Sequence, residues 1–286
     1  MTIQLRSMRP EDIEPCGRIC YEAFKGIAEK HNFRRDFPVP EAAIELMRML
    51  LERPDVFNVV AENDGQVIGS NHLLESDAIR GVGPITVDPN AQAKGTGRML
   101  MEAVIERGRG ARGIRLLQDS FNAASLSLYA SLGFDVREPV VLIEGIVKGE
   151  VPAGFEVRPI KEEDYARCAE LCRSVHGFDR INELKHTPPM PTPFVALRDG
   201  CITGYISAPQ FWPLNHAVAE TEEDMQALLF GAGNQCEQLS FILPTRQASL
   251  FRWLLKKGMR VIKPMTLMSM GEYQEPRGCY LPSVGY

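Results

Sequence analysis

Seven consecutive residues, Gln92, Ala93, Lys94, Gly95, Thr96, Gly97 and Arg98, carry the clearest chemical capacity in the chain. Gly95 and Gly97 permit a positive φ and have no side chain, so successive backbone N–H groups can converge on an anion at close range. Lys94 and Arg98 add positive charge nearby. A pyrophosphate suits such a loop when a helix starts directly after it, because the first helical turn leaves its N–H groups unpaired and partly positive. No GK[ST] follows, so this is not a Walker loop. Leu100 stands where the dinucleotide fingerprint needs a third glycine.

The flanking pattern supplies the elements that position this loop. Ile85, Thr86 and Val87 form a short β-branched run, Asp88-Pro89 marks a turn, and Leu100, Val104 and Ile105 recur at helical spacing beyond the glycines. A strand therefore feeds a loop that opens a helix. In PEAAIELMRMLLERPD (from Pro40), Ile44, Met47, Leu50 and Leu51 share one helical face, which reads as core.

The chain also repeats itself. LRSMRPEDIEPCGRICYEAF (from Leu5) aligns without gaps on VRPIKEEDYARCAELCRSVH (from Val157), matching Arg6 with Arg158, Asp12 with Asp164, Cys16 with Cys168 and Cys20 with Cys172. The turns Asp64-Gly65 and Asp199-Gly200 match next, followed by NAASLSLYASLGFDV (from Asn122) and QASLFRWLLKKGMRV (from Gln247), with Gly133 against Gly258. The spacing between matched anchors shrinks along the chain, so the second copy keeps the order of elements and loses loop. Each copy reads as strand, one or two helices, Asp-Gly hairpin, strand, helix, strand, a helix ending at glycine, and a final strand. The expected fold is α/β in two tandem domains, 1–148 and 154–273, with a tail, 274–286, docked on a domain surface.

With 286 residues, 44% hydrophobic and 24% charged, the composition is that of an ordinary globular protein of two domains. A net charge of -5 offers no broad attraction to nucleic acid or anionic lipid. No apolar run reaches the roughly 20 residues that span a bilayer, and no secretory signal is visible at the start, which makes a cytoplasmic location the expectation. Seven scattered cysteines without CxxC pairs read as reduced and mostly buried, and the five histidines lack ligand spacing, so no metal is expected. The expected assembly is a monomer or homodimer.

VDPNAQAKGTGRML (from Val87) resembles the Q/R-x-x-G-x-G/A pyrophosphate signature of the GNAT superfamily of acyl-CoA-dependent N-acetyltransferases, with Gln92, Gly95 and Gly97 in register. FNAASLSLYASLGFDV (from Phe121) resembles the downstream GNAT pattern at Asn122, Leu128, Tyr129, Gly133 and Phe134. The resemblance implies two tandem GNAT-like domains, each a mixed, mostly antiparallel sheet flanked by helices. It further implies that the Ile85–Val87 strand pairs with the pantetheine arm of acetyl-CoA, that the 92–98 loop holds the pyrophosphate, and that Asn122 and Ser125 lie on the cofactor side. Tyr129 is implied as the proton donor to the departing thiolate, a role compatible with the similar acidities of phenol and thiol.

Direct transfer to a primary amine of a small molecule or peptide also needs a base. His72, Glu75 and Asp119 are candidates, with Asp77 beside them, and no acidic residue lies on the Ile85–Val87 strand itself. A domain that holds acyl-CoA as a sensor or scaffold without catalysis is the alternative, and a longer acyl group or another acceptor is a further one. In the second copy the loop is replaced by HAVAETEEDMQALLFGAG (from His216), where Thr221 and Asp224 fit a capping box and Glu220, Glu222 and Glu223 crowd the helix start. Those carboxylates oppose a pyrophosphate, and Leu254 replaces Tyr129. One acetyl-CoA per chain is the expectation.

Overall fold

The computed structural model describes residues 3–91, 95–186 and 192–285, so Gln92, Ala93 and Lys94 of the expected loop lie outside the described residues. By packing the chain divides into two compact units. Unit 1 comprises Met1–Asp135 with Ser269–Gly271, and unit 2 comprises Val136–Met268 with Glu272–Tyr286.

Unit 1 runs β1 (Gln4–Ser7), α1 (Ile13–Lys30), α2 (Pro40–Glu52), β2 (Val56–Asn63), β3 (Gln66–Leu74), β4 (Ile79–Val82), β5 (Thr86–Val87), α3 (Thr96–Arg107), β6 (Gly113–Asp119) and α4 (Ala123–Ser131). Its strands lie in the order β1-β2-β3-β4-β6, with β5 attached to β3. All these pairings are antiparallel except β4 with β6. Cys16, Cys20, Met47, Leu50 and Val60 form the core between sheet and helices, and Ile44 and Leu51 pack against it. The apolar face of α2 is thus core, as its spacing indicates.

Unit 2 continues with β7 (Asp135–Gly145), β8 (Phe155–Pro159), α5 (Tyr165–His176), α6 (Ile181–His186), β9 (Phe194–Arg198), β10 (Cys201–Ile206), β11 (Ala217–Ala219), α7 (Glu222–Gln235), β12 (Leu239–Pro244), α8 (Ala248–Lys256), β13 (Arg260–Gly271) and β14 (Cys279–Leu281). A five-stranded sheet has the order β14-β11-β10-β9-β8. β7 pairs antiparallel with β12 from Val140↔Pro244 to Gly145↔Leu239. This ladder moves the packing boundary to Asp135/Val136, earlier than the expected division at 148, although the repeat places β7 in the first copy.

The repeat anchors have identical physical roles. Arg6 grips both oxygens of Asp12 at 2.6 and 2.9 Å, and Arg158 grips Asp164 at 2.7 and 2.9 Å. In both copies the same carboxylate also takes a backbone N–H three residues earlier, from Arg9 and Lys161. Both Asp-Gly turns place both residues at positive φ (Asp64 50°, Gly65 79°; Asp199 51°, Gly200 78°), the requirement of a tight hairpin. The matched cysteines are buried and none of the seven is in a disulfide. Among the described residues no helix is long and apolar enough to cross a membrane.

Candidate active site

β5 is held along one edge only among the described residues, by β3, with Gly69↔Val87 and Ser70↔Thr86 as partners. The Asp88 N–H donates inward to the Ile68 carbonyl at 2.8 Å. Backbone groups alternate in direction along a strand, so the N–H and C=O of Val87 turn to the open edge. Just beyond, Gly95 begins α3 at φ 93° with no side-chain cap, and no acidic residue stands in the first turn. An edge able to pair with an extended amide chain therefore runs toward a helix end with N–H groups available for an anion.

The two glycines differ in role. Gly95 needs its positive φ, and a Cβ there would meet nothing within 4 Å. Gly97 does not use the positive φ open to it, because it already lies inside the first turn of α3. A Cβ on it would meet Leu128 Cδ2 at 3.6 Å, an ordinary contact. Arg98 reaches across to Ser131 Oγ at 2.6 Å and pairs with Glu102 at 3.7 Å. Thr96 is buried. Ile85 immediately precedes β5, which is limited to Thr86–Val87.

Residues 24–134 match the acetyltransferase (GNAT) family model. A tandem GNAT protein from the clavulanic acid biosynthesis pathway superposes with a TM-score of 0.57 at 12% identity, covering 96% of this chain and 100% of that one. The family match lies within unit 1 and covers less than half of the chain. A proposed acetyltransferase from Pyrococcus horikoshii shares the fold with a TM-score of 0.75 at 18% identity, over 96% of this chain and 91% of that one. A mycothiol acetyltransferase from Thermomonospora curvata is 40% identical over 78 residues, which is 26% of each protein. The chain thus spans about a quarter of the curated relative it matches.

The remaining site candidates separate clearly. Asn122 caps α4, accepting the Ser125 N–H at 3.2 Å, while Ser125 Oγ donates to Gln118 Oε1 at 2.9 Å. Tyr129 sits on the same helix, buried, edge-on to Phe134 with ring centroids 6.3 Å apart. Burial, and secondarily the charge of Asp119, push its phenol pKa upward. The proton-bearing form is therefore secure at neutral pH, but the phenol is a poorer acid than the sequence chemistry assumes. A thiolate buried beside it becomes more basic for the same reason, as the Cys16 thiol, pushed up to about 12 chiefly by burial, illustrates.

Glu75 pairs with Arg107 at 2.8 Å and Arg80 at 3.2 Å. Arg107 is the last residue of α3, which puts the partner of Glu75 about 18 Å of helix rise from the Gly95 end. His72 is fully buried, paired through Nδ1 to Asn58 Oδ1 at 2.6 Å, and its pKa is lowered to about 3 by burial. Asp119 closes β6 and is the candidate carboxylate that acts electrostatically on Tyr129. Phe121, one residue before Asn122, stacks on Phe33 with centroids 4.2 Å apart and meets His31 at 5.3 Å. Sequence reasoning missed this aromatic wall, since the α1–α2 connection carries no motif and reaches Phe121 only through folding.

The second unit lacks this arrangement. Thr221 Oγ1 accepts the Asp224 N–H at 3.2 Å and Asp224 Oδ2 accepts the Thr221 N–H at 3.0 Å, so the expected capping box closes the start of α7. The carboxylate cluster is less repulsive than its sequence suggests, because Arg167 and Arg198 pair with Glu220 at 2.6 and 3.2 Å, and Arg198 with Asp224 at 3.3 Å. Capping, more than bare charge, occupies that helix end. Leu254, at the Tyr129 position, is fully buried.

Proposed function

We propose that unit 1 transfers an acetyl group from acetyl-CoA directly to a primary amine, with one cofactor per chain. The open edge of β5 leading to the uncapped start of α3 carries this reading. The pantetheine amides pair with Val87 and the pyrophosphate rests on the first turn of α3 and on the 92–98 loop. The amine attacks the acetyl carbonyl to give a tetrahedral adduct whose ammonium proton passes to Asp119. Collapse breaks the C–S bond, and the departing thiolate takes the Tyr129 proton. Asp119 is favoured as base because Glu75 is committed to two arginines and His72 is too weakly basic.

His31, Phe33 and Phe121 then form the wall against which the acceptor lies. The partial likeness to a mycothiol acetyltransferase makes amine precursors of mycothiol the first acceptors to try. The test is thiol release from acetyl-CoA with a panel of such amines and with amino-terminal peptides, beside calorimetric titration of acetyl-CoA. Release dependent on an amine supports transfer. Tight binding with no release across the panel favours a sensor that holds the thioester.

A further inference from the structure

We propose that unit 2 holds its own C-terminal strand, Cys279–Leu281, in the slot that corresponds to the pantetheine slot of unit 1, so that this slot is an extended-peptide site with an internal ligand. In unit 2 the Glu220 N–H donates inward to the Thr203 carbonyl at 2.9 Å, matching Asp88 N–H to Ile68 in unit 1 at 2.8 Å. Ala219 is thereby placed as Val87 is, its N–H and C=O facing outward. In unit 1 that edge has no partner strand among the described residues. In unit 2 it pairs antiparallel with β14, with Ala217↔Leu281, Val218↔Tyr280 and Ala219↔Cys279.

A second contact points to the same slot. Gln247, the repeat counterpart of Asn122, does not cap its helix. Its amide instead reads the tail backbone, donating to the Tyr280 carbonyl at 2.6 Å and accepting the Tyr280 N–H at 3.2 Å. The Tyr280 hydroxyl donates to buried Glu138, which Arg246 pairs at 2.7 Å. Arg180 donates to Ser283 Oγ at 2.7 Å further along. Tyr280, Leu281 and Ser283 are almost wholly buried. The tail thus contributes a strand to the sheet of unit 2. The correspondence with pantetheine rests on the acyl-CoA reading of unit 1, whereas the strand clamp stands without it.

The full chain, carrying a sequence-specific protease site inserted between Glu272 and Tyr273, is folded and then cut. The fragment is expected to stay bound through gel filtration and to exchange one-for-one with a labelled synthetic peptide of residues 276–286. Gln247→Ala should weaken that peptide roughly tenfold through two lost hydrogen bonds. A peptide with Tyr280→Pro should not compete, and coenzyme A should not displace the label. Loss of the fragment from a chain that keeps its circular dichroism and takes up no peptide overturns the proposal, as does displacement by coenzyme A. In the uncut chain, hydrogen exchange at Tyr280 and Leu281 should be as slow as in β10, and fast exchange there overturns it as well. Calorimetry of acetyl-CoA on the uncut chain reports unit 1 alone, so failure of the acetyltransfer reading is read separately.

Discussion

At the scale of single residues, the site depends on groups whose protonation burial controls. Tyr129 keeps its proton because its phenolate is destabilised by burial and by Asp119. Tyr129→Phe should lower kcat by roughly 100-fold, the lower range for a lost general acid, with acetyl-CoA affinity unchanged; equal turnover removes Tyr129 from the mechanism. Gly95 and Gly97 make a matched pair. Gly95→Ala forces a side chain into the left-handed region at φ 93°, costing about 1 kcal/mol and weakening acetyl-CoA, whereas Gly97→Ala should leave affinity and melting temperature unchanged. Calorimetry and thermal melts on both variants check the contrast.

His72 links the residue scale to stability. Its folded pKa, about 3, lies below its ordinary 6.5, so between those values the unfolded chain binds more protons than the folded one. Stability from His72 is present above pH 6.5 and is lost as pH falls toward 3. His72→Gln should flatten the acid limb of a denaturant-midpoint profile in that window. Part of the slope should remain, because His216 in unit 2 is shifted in the same direction by burial.

Among elements, close packing decides more than propensity. A Cβ on Gly17 of α1 would lie 2.5 Å from Ile44 Cα in α2, and a backbone atom cannot swing aside. Gly17→Ala should destabilise by about 1–3 kcal/mol, read as a lowered denaturant midpoint with unchanged slope. The two copies also show how one element plan serves two ends. α3 begins at Gly95 without a side-chain cap, while α7 is closed by the reciprocal bonds of Thr221 and Asp224. The strands before these helices share an inward hydrogen bond, yet only β11 has its second edge filled by another strand among the described residues.

For the whole molecule, this asymmetry predicts a single acetyl-CoA site per chain. Calorimetric titration should give one site per chain, and two equivalent sites would contradict the reading of unit 2. The net charge of -5 requires that binding to this anion be local, so added salt should weaken acetyl-CoA only modestly compared with loss of the loop geometry.

The repeat, the mixed sheet and the helix that follows Gly95 were legible in the chain because each rests on short-range chemistry. Arg6 with Asp12, Asp64 with Gly65 and Gly133 after α4 are local motifs whose geometry follows from residue type and spacing. Tertiary structure alone decided the rest. Whether Glu75 could act as a base depended on where Arg80 and Arg107 come to lie, and His72 on what covers it. The fate of the tail depended on an unpaired edge some sixty residues away in sequence, at Ala217–Ala219. Burial, ion-pair partners and strand vacancies are properties of distant segments brought together, and no local pattern of residues encodes them.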